Sequence, residues 1–229
     1  MPVIDDIRDS QKMLKGKGFK YKFQYFWEYY RVPVIIILAF SAIAISVITT
    51  MIKNKPAQFS VAWVNAVGVP DSAAFAEYAG IDESNGPVAF DTGYNISTDP
   101  LNITEATYTS SQKLMASVAG GTLDIMICTG DLCHGYLNSE LYADLREIYS
   151  DAELESLGDK VLRGTPTDPE TGEALGENIP YAICIDSASA VTSVPCYLEG
   201  DVYVAVIANA PHKDLVKQFV DFLFEYKVQ

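Results

Sequence analysis

Residues 32–52 read VPVIIILAFSAIAISVITTMI, a run without one charged side chain. A stretch of this length and polarity either crosses a bilayer or is wholly buried in a protein core. A helix rises 1.5 Å per residue, so about 20 residues cross a hydrocarbon layer of about 30 Å. Arg31 stands before the run, and Lys53 and Lys55 stand after it. Pro33 falls in the first turn of such a segment, where a missing N–H costs least. A cleaved signal peptide is the nearest alternative, but its apolar part is shorter and begins closer to the N-terminus. Here residues 1–31 come first, and KNKPAQF follows with no small-residue cleavage pattern. The sequence therefore predicts one uncleaved transmembrane helix over 32–52.

Charge sets the expected orientation. Residues 1–31 carry seven Lys/Arg (Arg8, Lys12, Lys15, Lys17, Lys20, Lys22, Arg31) against four acids. Residues 53–229 hold nine Lys/Arg against 26 acids. Basic flanks stay in the cytoplasm, which predicts a cell-membrane protein with a cytoplasmic tail at 1–31 and a C-terminal domain at 57–229 outside the cell. The tail ends in FKYKFQYFWEYYR, where aromatic rings alternate with Lys and Arg. That mixture suits the headgroup zone, so the bilayer is the first predicted partner. A partner-binding aromatic patch is the alternative. The acidic outer part repels phosphate backbones, which argues against nucleic acid.

Beyond residue 57 the patterning alternates between strand and helix. FSVAWVNAV (59–67), PVAFDTGYNIS (87–97), LDIMICTG (123–130), IPYAICID (179–186) and DVYVAVIAN (201–209) are the predicted strands. The third is apolar throughout, as a strand buried on both faces is. Predicted helices cover 71–80 with Asp71 as cap and Gly80 as stop, and 103–121 with Ala106, Leu114 and Val118 on one face. Residues 141–162 read as helical or turn-rich, with Asp151 as a cap. A final helix over 212–227 lines Leu215, Phe219, Phe222, Leu223 and Tyr226 on one face. Residues 163–178 read as a loop, and 187–200 as the turn of a hairpin. Strands alternating with helices predict an α/β fold: a single three-layer-like lobe with a mixed sheet.

The run SSQKLMASVAGGTLDIMICTGD, followed by ELYADLREIY, resembles extracellular solute-binding proteins of bacterial uptake systems. The corresponding segments are 113–121, 124–127, 129–135 and 141–145. VYVAVIANAPHKDLVKQFVDFLFEY is similar to the strand and helix with which that family returns to its first lobe. The lead YKFQYFWEYYR is similar to patterns in membrane proteins of Gram-positive bacteria. The resemblance implies a periplasmic-binding-protein-like lobe that captures or senses a small polar solute or an envelope component. The outer part has room for one lobe, and no Cys precedes Cys128 to serve as a lipidated tether, so a reduced, helix-anchored relative is expected. The alternative is a non-catalytic interaction protein of the envelope, docking on a membrane complex or wall partner.

Ligands of α/β sheets sit beyond the carboxyl ends of the strands. Here those ends, with their strands, offer Asn65, Thr129, Gly130, Asp131, Tyr181 and Asp186 as ligand-binding candidates. Four cysteines lie in the outer part. Local pairing, Cys128–Cys133 and Cys184–Cys196, is the expected disulfide pattern, with free buried thiols as the alternative. A structural zinc site needs two matching ligand pairs, and only Cys128, Cys133 and His134 cluster, so no metal or other cofactor is expected. His134 and His212 are the only histidines. Neither sits in a nucleophile motif, and no catalytic residue is assigned.

Overall fold

The computed structural model describes residues 18–53, 55–97, 99–168 and 171–227. The predicted cytoplasmic tail lies outside them up to residue 17. The chain divides into two compact units, 1–54 and 55–229.

The first unit is one helix, α1 (Phe19–Lys53), 35 residues long. At 1.5 Å per residue it extends about 52 Å. Within it Arg31–Thr50 has a mean hydropathy of 2.7 and is 0% buried, so α1 is long and apolar enough to cross a bilayer. One prediction needs correcting. The helix starts at Phe19, so Pro33 stands in its interior and leaves the Tyr29 carbonyl without its usual donor. Phe19, Phe23 and Trp27, spaced four apart, share one exposed stripe, and the rings of Phe23 and Trp27 stack at 6.3 Å. Thr49 and Thr50 return their hydroxyls to the carbonyls of Ile45 and Ser46, so neither leaves a bare hydroxyl on the apolar surface.

The second unit is an α/β domain on one mixed sheet. The strands are β1 (Phe59–Val64), β2 (Val88–Tyr94), β3 (Ile125–Thr129), β4 (Val161–Gly164), β5 (Ile179–Cys184) and β6 (Val202–Val206), ordered β2-β1-β3-β6-β5-β4. β1 runs parallel to both β2 and β3. β6 lies antiparallel to β3, β5 antiparallel to β6, and β4 antiparallel to β5. The helices are α2 (Ser72–Ala79), α3 (Glu105–Ala119), α4 (Gly130–Gly135), α5 (Asp151–Leu157), α6 (Ser189–Ser193) and α7 (Val216–Glu225).

Helices cover both faces of the sheet. On one face Phe59 and Phe90 meet Phe75 of α2 and Phe219 of α7 at ring separations of 5.2–6.3 Å. On the other face lies α3. A bulge reaches both faces from one strand: between Asp91 and Tyr94, β2 has one residue more than β1. Strand side chains alternate, so the extra residue turns Tyr94 away from the side of Phe90. Tyr94 then lies under the Lys113 ammonium of α3, 4.2 Å from its ring centre.

Helix ends follow their local chemistry. Asp71 accepts from the Ala73 N–H and Gly80 closes α2 at φ 66°. Thr104 and Thr107 cap α3 reciprocally, and Gly121 at φ 60° follows its end.

Five expectations for this unit are revised. In α3 the buried face carries Thr107 and Leu114 while Ala106 is exposed. Ser150, not Asp151, caps α5, because its hydroxyl and the Glu153 carboxylate satisfy each other's backbone N–H. Residues 161–164 form edge strand β4 where helix and loop were expected, and 187–200 holds α6 in place of a hairpin turn. In α7 the buried face is Val216, Phe219, Val220, Phe222 and Leu223; Leu215 and Tyr226 are half-buried.

At the amino end of β3 a buried carboxylate ties three segments together. Asp124 is 1% exposed. It accepts from the Ser60 N–H at 2.8 Å and the His212 N–H at 2.8 Å, with His212 Nδ1 at 3.2 Å. His212 therefore anchors the turn into α7.

Candidate functional site: a polar cleft at the carboxyl edge

β3 passes into α4 without a connecting loop. Thr129 is the last strand residue and Gly130 the first of the helix. Directly opposite, Val202 begins β6 and pairs with Thr129, and the Gly130 N–H donates to the Asp201 carbonyl at 3.0 Å. A cleft of ≈ 310 Å³ opens here, lined by Thr129, Gly130, Asp131, His134, Leu162, Gly200, Asp201 and Tyr203. A Cβ at Gly130 would lie 2.9 Å from Tyr203 Cε2, so the Tyr203 ring rests on bare backbone and would have to shift to admit one. Gly200, at φ 86°, makes the turn that brings Asp201 to the wall. The Asp131 and Asp201 carboxylates have no hydrogen-bond or ion-pair partner among the described residues, and no Lys or Arg lines the cleft. The walls thus offer two anionic acceptors, an imidazole, a threonine hydroxyl and one aromatic ring.

Three of the six sequence candidates, Thr129, Gly130 and Asp131, meet in this cleft. The other three do not line it. Asn65, at φ 59°, accepts from the Ile96 N–H and donates to the Ile96 carbonyl, which uses its amide to join the ends of β1 and β2. Asp186 accepts from the Val202 N–H and so positions the start of β6. Tyr181 is fully buried and stacks on Tyr142 at 5.6 Å. Its hydroxyl lies 3.2 Å from His134 Nδ1, so it supports a cleft residue from beneath. Burial holds that phenol well above its ordinary range.

Sequence reasoning missed Leu162, Gly200, Asp201 and Tyr203, and placed His134 only in a loop. The one local signal was Gly200 beside two acids. What brings these residues to Thr129 is the antiparallel seating of β6, a long-range pairing.

The four cysteines are free thiols, so the expected disulfides are absent. Cys184 ends β5 opposite Tyr203, whereas Cys196 lies beyond α6 with Sγ turned to the Ala190 carbonyl at 3.8 Å. The hairpin that would have paired them is not formed. Cys128 and Cys133 are both buried; burial first, then the neighbouring Cys133 thiol, pushes the Cys128 thiol up. Burial alone raises Cys196 to about 11. Among the described residues no group of three or more His, Cys, Asp or Glu is placed to hold a metal ion.

Fold and site together define an α/β domain with one mixed six-stranded sheet, a polar cleft at its carboxyl edge, and a separate apolar helix before it. In comparisons with known proteins, no family matches the chain, and no curated protein or solved structure is significantly similar to it.

Proposed function

We propose that this chain is a membrane-tethered, extracytoplasmic binding module that captures or senses a small polar ligand in the cleft between β3 and β6. The observation that carries the reading is the cleft itself, a pocket near the small end of the range for ligand sites whose walls include the unpaired Asp131 and Asp201 carboxylates. Its volume suits one sugar- or amino-acid-sized molecule. Its chemistry suits a ligand rich in donors, because both carboxylates accept and no cation is present to hold an anion. The carboxyl edge is also where α/β sheets commonly take ligands.

Two further observations support the rest of the reading. α1 has the length and hydropathy of a single span, with basic residues concentrated before it. β6 pairs with β3 and α7 packs on α2, so the segment that resembles the closing strand and helix of a solute-binding lobe belongs to the core of this domain.

The test is thermal unfolding of the full-length protein in detergent against a panel of sugars, amino acids, amines and short peptides. A true ligand raises the midpoint, since it binds only the folded state. Asp131→Asn combined with Asp201→Asn abolishes that rise while leaving the unliganded midpoint within a few degrees. A panel without any shift, or a shift that survives the double variant, refutes the assignment.

A further inference from the structure

The loops at the carboxyl edge share a composition that the cleft does not explain. They are 65–71 after β1, 95–104 after β2, 130–136 through α4, and 185–201 between β5 and β6. These four loops contain Asp71, Asp99, Asp131, Asp186, Glu199 and Asp201 and not one Lys or Arg; the turn Gly158–Lys160 into β4 reaches the same edge and adds Asp159 and Lys160. The same loops expose large apolar side chains: Val67 at 60%, Leu101 at 92%, Ile103 at 60% and Leu198 at 82%. The loops are stitched to one another. Asn65 bonds both ways to Ile96, and the Val67 N–H donates to the Cys196 carbonyl at 2.8 Å. Leu101 and Ile103 are close in the chain, and Val67 and Leu198 lie on segments joined by the Val67–Cys196 bond, so the exposed apolar side chains are grouped at this edge.

We infer that this edge docks a protein partner whose contact surface is apolar at its centre and basic around it. Charge selects that occupant over the alternatives. A second copy would bring six further acids against these and repel. An anionic lipid surface or a nucleic acid would be repelled for the same reason. A surface of Lys and Arg around apolar side chains would neutralise the acids and cover Val67, Leu101, Ile103 and Leu198. None of the four apolar residues lines the cleft, whereas two of the six acids, Asp131 and Asp201, do.

The test places the photo-crosslinker p-benzoylphenylalanine at Leu101, at Leu198 and, as a control, at Leu175 in the full-length protein in its native membrane. Leu175 is also exposed, at 58%, but lies between β4 and β5, at the opposite end of the sheet. The expected result is one protein adduct shared by positions 101 and 198, weak or absent at 175, mapping to a peptide with Lys or Arg beside the attachment site. Glu199→Lys, at an exposed residue with no partner among those described, lowers that adduct about fivefold by turning attraction into repulsion. Its thermal midpoint, unchanged, shows that the fold is intact. Adducts to a second copy, adducts to lipid alone, equal yield at 175, no adduct, or indifference to Glu199→Lys each overturn the inference. Ligand-induced thermal shifts are read separately in the same variants, so failure here leaves the cleft assignment standing on its own result.

Discussion

Asp124→Ala tests the packing of the second unit most directly. The carboxylate is 1% exposed and takes two backbone N–H donors, from Ser60 and His212, together with the His212 ring. Alanine leaves both N–H groups facing a cavity with no acceptor. A hydrogen bond to a charged group contributes about 1.5–3 kcal/mol, and each donor left unsatisfied in a core costs about 1–3 kcal/mol. Two such donors give an expected loss of about 3–5 kcal/mol, a large part of the roughly 5–15 kcal/mol that stabilises a domain. For a domain of this size each kcal/mol corresponds to about 2–4 °C, so the midpoint falls by about 6–20 °C. Near-ultraviolet circular dichroism of the full-length protein in detergent follows the transition. Trp63, fully buried in β1, adds a fluorescence signal from the core. Asp124→Asn keeps one acceptor oxygen and recovers part of the loss. A cost below about 1 kcal/mol for the alanine variant would mean that the donors find other partners, and the role given to Asp124 would be wrong.

Other outcomes follow from the same geometry. Gly130→Ala drives a Cβ into the Tyr203 ring and costs about 1–3 kcal/mol by overpacking, measured by denaturant titration; it also weakens any ligand-induced thermal shift. Glu153 is held down to about 2 by the Lys217 ammonium and by the Ser150 N–H and hydroxyl. Its folded pKa lies below the unfolded value near 4.3, so its stabilisation is present above that pH and is lost as pH falls toward about 2. Glu153→Gln therefore lowers the midpoint at pH 7 and leaves it unchanged near pH 2, as an acid titration of both proteins will show. The Cys196 thiol has the opposite sign: its folded value of about 11 exceeds the unfolded value near 8.5, so the unfolded chain loses its proton first and stability declines from about pH 8.5 to 11. Cys196→Ala flattens that alkaline decline. Maleimide labelling of the native protein modifies half-buried Cys184 well before the buried Cys128, Cys133 and Cys196, and all four equally after denaturation.

Much of the fold is visible in local chemistry. The cap and stop of α2, Asp71 and Gly80, and the Gly-Gly end of α3 are read from single residues, because the φ > 0 positions and the unpaired helix N–H groups restrict what can stand there. β1, β3, β5 and β6 show as β-branched apolar runs. The misplacements are equally physical. β4 was hidden because VLRG is too short to show a period, and only its pairing with β5 makes it a strand. Thr107 takes the buried place expected of Ala106, and its hydroxyl there accepts from the Thr104 N–H of the α3 cap. The expected Cys184–Cys196 pair rests on a hairpin that α6 replaces, and the Cys128–Cys133 pair on a loop that α4 replaces.

The site divides the same way. Thr129, Gly130 and Asp131 are adjacent in the chain, and a buried strand running into a helix marks their position without help from other segments. Asn65 and Asp186 have equally suitable side chains, yet tertiary contacts with Ile96 and Val202 use those groups to hold the scaffold. Tyr181 is removed from the surface by burial beneath His134. What the sequence by itself determined is whatever one helix or strand settles alone: the long apolar helix, the uneven charge along the chain, the cap and stop of α2, and the α/β alternation. The opposite wall of the cleft, Gly200, Asp201 and Tyr203 against Thr129, was decided by the tertiary structure. That wall depends on which strand pairs with β3 and in which direction, and the pairing free energy is shared by residues about seventy positions apart.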